Sequence, residues 1–227
     1  MLSNFLNFLL KNILLKAQNK RIIKYLPKEL INIVDVGAHH GELYYTLIRN
    51  GYKFNNYVMF EPYKSAFNKI NRIDDNRVKK FNLAISSVNS EKEFSLNPLT
   101  MTSSFSEVNS NLLKFKIKNI LFNNRNKSNE KTLVSTETLD SYNFDHKGTN
   151  FLKVDTEGHE LDVLMGAKSH LNSRTFEYIL LEIQKPNTYK NYNPQDIFEF
   201  LSSNSYEVVK EFKVPFFGFS DILFIKK

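Results

Sequence analysis

The sequence predicts one α/β domain built on a mainly parallel β-sheet. Three observations lead to this prediction: apolar β-branched runs end at turns, helical stretches follow those turns, and the chain closes on two β-rich runs. Strands that alternate with helices in this way form right-handed βαβ crossovers. The chain has 227 residues, 41% of them hydrophobic, which is enough for one large domain of this class.

The first two βα units are the clearest. The apolar run INIVDV stops at the turn GAHHG, and ELYYTLIRNG continues with helical spacing. A second run from Tyr57 to Phe60 ends at Glu61 and Pro62, and the helical stretch SAFNKINRI follows it. These segments predict two parallel strands joined by a helix.

The middle of the chain is less regular. An apolar run over 78–85 predicts a third strand, and alternation over 91–96 predicts a half-exposed strand. Residues 100–131 are rich in Asn, Ser and Lys, and we interpret them as a variable insertion, a substrate-facing loop with a short helix. Regular patterning returns at LVSTETLDSY.

The last third of the chain resumes the alternation of strands and helices. A strand from Phe151 to Val154 leads into Asp155 and a helix, and EYILLEI predicts the next strand. Pro194 begins the helix PQDIFEFLSS, because proline favours the first turn of a helix. The runs YEVVKEF and DILFIKK predict a closing hairpin whose last strand is antiparallel.

The N-terminal residues 1–28 predict a basic amphipathic helix that precedes the α/β domain of residues 29–227. Its apolar residues recur at helical spacing, namely Leu2, Phe5, Leu6, Leu9, Ile13 and Leu14. Positive charge follows the apolar run rather than preceding it, which argues against a signal peptide and for a cytoplasmic protein. We favour a helix that covers one face of the domain. The alternative is a helix that docks on the inner face of a membrane or on a glycan-assembly partner.

Composition excludes several classes of protein. With no Cys, the chain has no disulfide framework, no thiolate nucleophile and no Cys-ligated metal centre. The sequence has no uninterrupted apolar run of about 18 residues, the length that predicts a membrane-spanning helix. The net charge of +7 favours anionic partners without choosing among them.

The turn DVGAHHG predicts a cofactor site. It is neither the dinucleotide fingerprint GxGxxG nor a phosphate-binding Walker loop. Asp35 repels a pyrophosphate but suits an ammonium group, and Glu61 stands where nucleotide-binding α/β folds bind ribose hydroxyls. Together they indicate S-adenosylmethionine. The alternative is that Asp35 caps a helix and Glu61 is a solvated strand end.

Several blocks of the chain resemble FkbM-type methyltransferases over about residues 30–185. These blocks, in order, are IVDVGAHHGELYYTLIRNG, FEP, NLAISS, TLD, FLKVDTEGHELDVLMGA and LLEI. The family consists of S-adenosylmethionine-dependent O-methyltransferases with the class I Rossmann-like fold. The resemblance therefore implies a seven-stranded, mainly parallel sheet with helices on both faces and an antiparallel C-terminal strand.

The resemblance also implies which residues bind the cofactor. The methionine end would be lined by Asp35, Gly37, Ala38 and Gly41. The ribose would meet Glu61 beside Pro62, and the adenine would lie near Ala84 and Ile85. Ser104 lies in a Ser-rich turn that would approach the cofactor or the acceptor. Where the family often has Asn, this chain has His39, and we assign no role to it or to its neighbour His40.

A second group of polar residues predicts the catalytic centre. Asp155 and Glu182 each end a strand, so both should reach the carboxyl edge of the sheet, where ligands bind in open α/β folds. Asp155 or His159 is our candidate base, with Glu157 and Glu182 orienting the acceptor hydroxyl. The alternative is that Asp155, Glu157 and Glu182 hold a divalent cation such as magnesium or calcium.

We therefore expect an enzyme that methylates a sugar hydroxyl, in a surface glycan such as capsule or lipopolysaccharide, or in a nucleotide-linked precursor. A nucleic-acid methyltransferase is one alternative, although VDTEG stands where amino-directed enzymes of that class carry an Asp/Asn-Pro-Pro-aromatic motif. A non-catalytic module that binds the cofactor is the other. The sequence leaves the oligomeric state open.

Overall fold

A seven-stranded β-sheet is the centre of the fold. The computed structural model describes residues 15–96, 105–106, 130–144, 148–213 and 218–227. In chain order, the strands of this sheet are β1 (Glu29–Val36), β2 (Lys53–Phe60), β3 (Val78–Phe81), β7 (Asn150–Val154), β8 (Tyr178–Gln184), β9 (Tyr206–Lys213) and β10 (Phe219–Lys226). Their spatial order is β3-β2-β1-β7-β8-β10-β9, and β10 is antiparallel to both its neighbours. This arrangement confirms the predicted sheet and its antiparallel last strand.

Six α-helices flank the sheet in the part of the chain that the structure describes. They are α1 (Leu15–Ile22), α2 (Glu42–Arg49), α3 (Lys64–Ile70), α4 (Glu160–Met165), α5 (Lys168–Asn172) and α6 (Pro194–Ser203). The predicted helix at Pro194 is confirmed, and the Asn193 side chain caps it by accepting a hydrogen bond from Gln195 N. None of the described helices is long and apolar enough to cross a membrane.

Alternation along the strands creates two apolar cores, one on each face of the sheet. In β1, Ile33 belongs to the core that α1, α2 and α3 cover, and Val34 belongs to the core covered by α4, α5 and α6. Ile22, at the end of α1, is buried in the first of these cores. Helix α1 therefore covers one face of the sheet, whereas residues 2–14 of the predicted N-terminal helix lie outside the described ranges.

The apolar run over 78–85 divides between two sheets, because the chain leaves the main sheet after Phe81. The Asn82 side-chain amide donates to the backbone carbonyls of Glu61 and Pro62, which turns the chain away from β2. The residues that follow enter a second sheet of order β4-β6-β5, formed by β4 (Ala84–Ile85), β5 (Ser90–Leu96) and β6 (Glu130–Glu137). The predicted insertion over 100–131 lies almost entirely outside the described residues, as does Ser104.

Gly166 lies where the second sheet packs against the main domain. It follows α4 and faces the backbone of the residue after β4. A Cβ atom at this position would lie 2.0 Å from the carbonyl oxygen of Ser86. Only a residue without a side chain allows this approach of two backbone segments. Gly51 offers a contrast, since its φ is +72° but nothing lies within 4 Å of an added Cβ.

We predict that Gly166→Ala lowers the free energy of unfolding by about 3 kcal/mol, because two packed backbones must separate. Gly51→Ala should cost only about 1 kcal/mol, the strain of a left-handed alanine. Urea unfolding of the two variants beside the wild type measures both values. Equal losses in the two variants would show that Gly166 does not hold the sheets together.

Candidate active site

An ion pair between adjacent strands lies at the base of the candidate site. Asp35 in β1 and Lys153 in β7 are directly paired across the sheet, and Lys153 Nζ lies 3.0 Å from Asp35 Oδ1. The Tyr57 hydroxyl donates to Asp35 Oδ2 at 2.9 Å. Burial lowers the pKa of Lys153, but the charges of Asp35 and Asp155 outweigh it and hold the pKa above its usual value. Lys153 is therefore a permanent cation between two carboxylates.

The same ammonium group holds the glycine turn. Lys153 Nζ donates to the carbonyl of Gly37 at 2.7 Å and lies 3.4 Å from Asp155 Oδ2. Gly37 has a φ of +76°, and an added Cβ would lie 1.9 Å from the carbonyl oxygen of Asp155. The turn after β1 and the loop after β7 are thus in backbone contact. Gly37 and Ala38 also donate their N–H groups to Phe60 O, which ties the turn to β2.

Glu61 lies beside this turn with its carboxylate held by backbone amides. Oε2 accepts from His39 N at 2.7 Å, and Oε1 accepts from Tyr63 N at 2.8 Å. The side chain is buried, and burial raises the pKa of Glu61, against which the amides of Tyr63 and His39 act. Each oxygen keeps a further lone pair for a ligand hydroxyl. Glu61 is therefore not the solvated strand end of the alternative reading.

Four acidic side chains form a carboxylate cluster, defined here as Asp155, Glu157, Glu182 and Asp221. Glu182 in β8 and Asp221 in β10 are paired directly across the sheet. Each lies two residues from a leucine of the core under α1, Leu180 and Leu223, so both face the side of the sheet that carries Lys153. The Gln18 amide of α1 donates to Asp221 Oδ2 at 2.9 Å.

The pKa values of two members of the cluster, Glu182 and Asp221, are raised. Burial, followed by the charges of Asp155, Glu157 and Asp221, holds the pKa of Glu182 well above its ordinary value. Burial likewise raises the pKa of Asp221 to about 7. Asp155 is the accessible member, since 37% of its side chain is exposed. The site thus combines inner carboxyl groups of raised pKa with an accessible carboxylate at its edge.

Tyr189 and Gln184 position Glu157, and the sequence analysis missed both. The Tyr189 hydroxyl donates to Glu157 Oε2, and Gln184 Nε2 donates to Glu182 Oε1 at 2.7 Å and to Glu157 Oε2 at 3.3 Å. Glu157 has a φ of +55°, so its backbone needs such support. The signal in the sequence was Gln184, which continues the alternation of β8 two residues beyond Glu182.

Glu160 organises the loop that carries the catalytic candidates. Its Oε1 accepts hydrogen bonds from Thr156 N, Thr156 Oγ1 and Gly158 N. The side chain is fully buried, and burial raises its pKa to about 7. Glu160 therefore holds residues 156–158 in a fixed loop between β7 and α4. This loop moves the start of the helix to Glu160, five residues after Asp155.

His159 faces the second sheet. Its Nε2 lies 3.0 Å from Ser86 Oγ, its Nδ1 lies 3.3 Å from Asp162, and its ring contacts Phe105. Burial lowers the pKa of His159 to about 4, which makes the imidazole neutral and a weak base at neutral pH. Asp155, the other candidate base, lies beside Lys153 instead.

The other predicted cofactor residues that the structure describes are Gly41, Ala84 and Ile85. Gly41 precedes α2 with a φ of +80°. Ala84 and Ile85 are buried in β4. They follow Asn82, whose side chain bonds the backbone of Glu61. Ser104 lies outside the described ranges.

The alternative cation set of Asp155, Glu157 and Glu182 does not bring its ligand atoms within 4.8 Å of one another. Among the described residues, only His39, His40 and Glu42 do so.

We predict that Asp221→Asn stabilises the protein at high pH. A carboxyl group with a raised pKa takes up a proton on folding, so its contribution is present at low pH and is lost as the pH rises from 3.8 toward about 7. Near pH 8 the variant should gain on the order of a few kcal/mol, and near pH 4 almost nothing. Urea unfolding at both pH values measures this, with the exposed-residue variant Asp74→Asn as control. A gain that does not depend on pH would contradict the assignment.

Comparisons with known proteins give the family. The model of the methyltransferase FkbM domain matches residues 35–208. A search of the curated proteins finds no match. Among solved structures, methyltransferase FkbM from Methylobacillus flagellatus KT has a TM-score of 0.60 and 17% identity, covering 89% of this chain and 45% of that one. This chain therefore spans less than half of that protein.

Two other structures share the fold. Magnesium protoporphyrin IX methyltransferase from Synechocystis PCC 6803, solved with bound SAM, has a TM-score of 0.52 and 12% identity and covers 97% of this chain and 85% of that one. A protein of the NADB-Rossmann superfamily from Streptococcus agalactiae has a TM-score of 0.52 and 13% identity, with 92% and 67% covered. The fold is the class I methyltransferase fold. Because the family model covers most of the chain, this protein belongs to the FkbM methyltransferase family.

Proposed function

We propose that the protein transfers the methyl group of S-adenosylmethionine to a hydroxyl of a sugar. The observation that carries the proposal is the position of Asp155. Its accessible carboxylate follows β7, and its backbone carbonyl contacts Gly37 of the glycine turn. A cofactor on the turn and an acceptor at the cluster would meet beside this carboxylate.

The residues of the turn fit the proposed cofactor. Glu61 offers lone pairs of two fixed carboxylate oxygens to ribose hydroxyls, which are hydrogen-bond donors. The neighbouring acidic groups suit a ligand that carries a sulfonium and an ammonium, since opposite charges attract strongly in a partly buried site. Asp35 supports this environment indirectly, because its charge is engaged by Lys153 and Tyr57.

Asp155 is the base that the geometry favours. S-adenosylmethionine supplies an electrophilic methyl group on a sulfonium, so the protein has to position the acceptor oxygen and take its proton. Asp155 is accessible and beside the turn, whereas His159 is buried against Ser86 and has a lowered pKa. Glu182 is buried below and has a raised pKa, and in its protonated form it can donate a hydrogen bond to a second hydroxyl of the acceptor.

The acidic surroundings favour a hydroxyl-rich acceptor over a nucleic acid. Carboxylates accept hydrogen bonds from sugar hydroxyls, and they repel the phosphates of RNA or DNA at close range. A nucleotide-linked sugar would need to keep its diphosphate away from the cluster. We therefore propose that the acceptor beside Asp155 is a sugar hydroxyl, in a surface glycan or its precursor.

We predict that Glu61→Ala weakens binding of S-adenosylhomocysteine by about 1 to 3 kcal/mol, roughly 5- to 150-fold. The variant removes the acceptor of the ribose hydrogen bonds. Calorimetric titration measures the affinity, with Glu29→Ala as control, because Glu29 is an exposed carboxylate at the opposite end of β1. Unchanged affinity in Glu61→Ala would remove the ribose assignment.

We predict that Asp155→Asn lowers methyl transfer by about 100- to 10,000-fold, the usual worth of a positioned base. Affinity for S-adenosylhomocysteine should stay within a few fold, because Asn keeps the volume of Asp. Mass spectrometry of a panel of sugars measures transfer, and His159→Gln serves as the rival-base variant with a smaller expected loss.

Two outcomes separate the alternatives. If His159→Gln abolishes transfer and Asp155→Asn does not, the imidazole is the base. If the wild type binds S-adenosylhomocysteine but methylates no member of the sugar panel, the non-catalytic module gains support. Binding to RNA that weakens steeply with salt would favour the nucleic-acid alternative.

A further inference from the structure

Three ligand-type side chains meet where the glycine turn enters α2. His39, His40 and Glu42 place one donor atom each within 4.8 Å of one another. His39 Nδ1 lies 3.0 Å and His40 Nδ1 lies 3.7 Å from the same oxygen, Glu42 Oε1. Two ligands of a tetrahedral zinc ion, each about 2.1 Å from the metal, are about 3.4 Å apart. The observed spacing brackets that value.

The backbone of the turn fixes these donors before any ion arrives. His40 N donates to Glu42 Oε2 at 3.0 Å, which orients the carboxylate toward the two rings. The imidazoles of His39 and His40 stack with centroids 3.6 Å apart and planes inclined by 25°. His39 is itself anchored, because its N–H donates to Glu61. The turn thus brings the three donors together, but one imidazole has to rotate out of the stack to share an ion, because rings bound to one tetrahedral metal have centroids about 5 Å apart.

The three side chains are accessible to an ion from solvent. The exposed fractions are 17% for His39, 18% for His40 and 26% for Glu42. One nearby cation competes: Lys69 Nζ lies 2.9 Å from His40 Nε2. A metal on Nδ1 leaves the ring proton on Nε2, so the Lys69 ammonium would have to move into solvent.

We propose that His39, His40 and Glu42 form a binding site for a divalent transition-metal ion of the zinc class. Two imidazoles and one carboxylate suit zinc, nickel or copper, whereas magnesium and calcium prefer oxygen ligands alone. With three protein ligands, a fourth position stays open to water or an anion. The site uses other side chains than the proposed methyl transfer, although the His39 amide bonds Glu61, and it is tested without cofactor or acceptor.

The experiment is a titration of the tag-free, chelator-treated protein with zinc alone, followed by calorimetry. Cobalt is titrated in parallel, because a tetrahedral cobalt complex absorbs visible light. The wild type should bind one equivalent, and His39→Gln or His40→Gln should each weaken binding by at least about tenfold, since even outer-shell partners of a metal contribute that much. Lys69→Met should bind zinc more tightly than the wild type.

Controls keep the test decisive. His146→Gln removes a histidine elsewhere in the sequence and should leave zinc affinity unchanged. Thermal unfolding without metal establishes that each variant is folded. Binding should weaken on acidification, because protons compete with zinc for the imidazole nitrogens. The proposal is overturned if the wild type binds no zinc, or if the double variant His39→Gln/His40→Gln binds it equally well.

Discussion

The fold and the site depend on one buried ammonium group. Lys153 sits between Asp35 and Asp155 and donates to the carbonyl of Gly37, so it joins β1, β7 and the glycine turn at one point. Removing one partner of a buried pair leaves an uncompensated charge, which typically costs about 3 to 5 kcal/mol. The position of the turn, and of everything bound on it, follows from this pairing.

The acidic groups around Lys153 favour binding of a cationic cofactor, but their mutual repulsion destabilises the folded protein. A cationic cofactor benefits from surrounding carboxylates, but paired acids such as Glu182 and Asp221 repel each other across the sheet. Burial raises the pKa of both groups, which lessens the repulsion, and the Gln18 amide bonds Asp221. Helix α1 thereby belongs to the architecture of the site as well as to the core.

Much of the fold was predictable because its signals are local. Acidic residues at or near the ends of predicted strands, namely Asp35, Glu61, Asp155 and Glu182, mark the carboxyl edge of a parallel sheet directly in the sequence. The division of residues 78–85 between two sheets was not predictable, since it follows from hydrogen bonds of Asn82 to the backbone of Glu61 and Pro62. The hydropathy pattern of the sequence does not indicate such hydrogen bonds.

The missed members of the site were missed for a related reason. Asp221, Gln184 and Tyr189 join the site through strand pairing and side-chain contacts with residues far away in sequence. No short motif marks them. Glu160 is likewise unmarked in the sequence, because the loop that it holds has no periodic pattern.

The central claim is that the glycine turn binds the cofactor beside Asp155. A crystal structure of the protein with S-adenosylhomocysteine tests it most directly. The account predicts ribose hydroxyls within about 3 Å of the Glu61 carboxylate and the cofactor sulfur on the side of Asp155, with room for one hydroxyl between them. A cofactor bound elsewhere, or a sulfur facing away from Asp155, would contradict it.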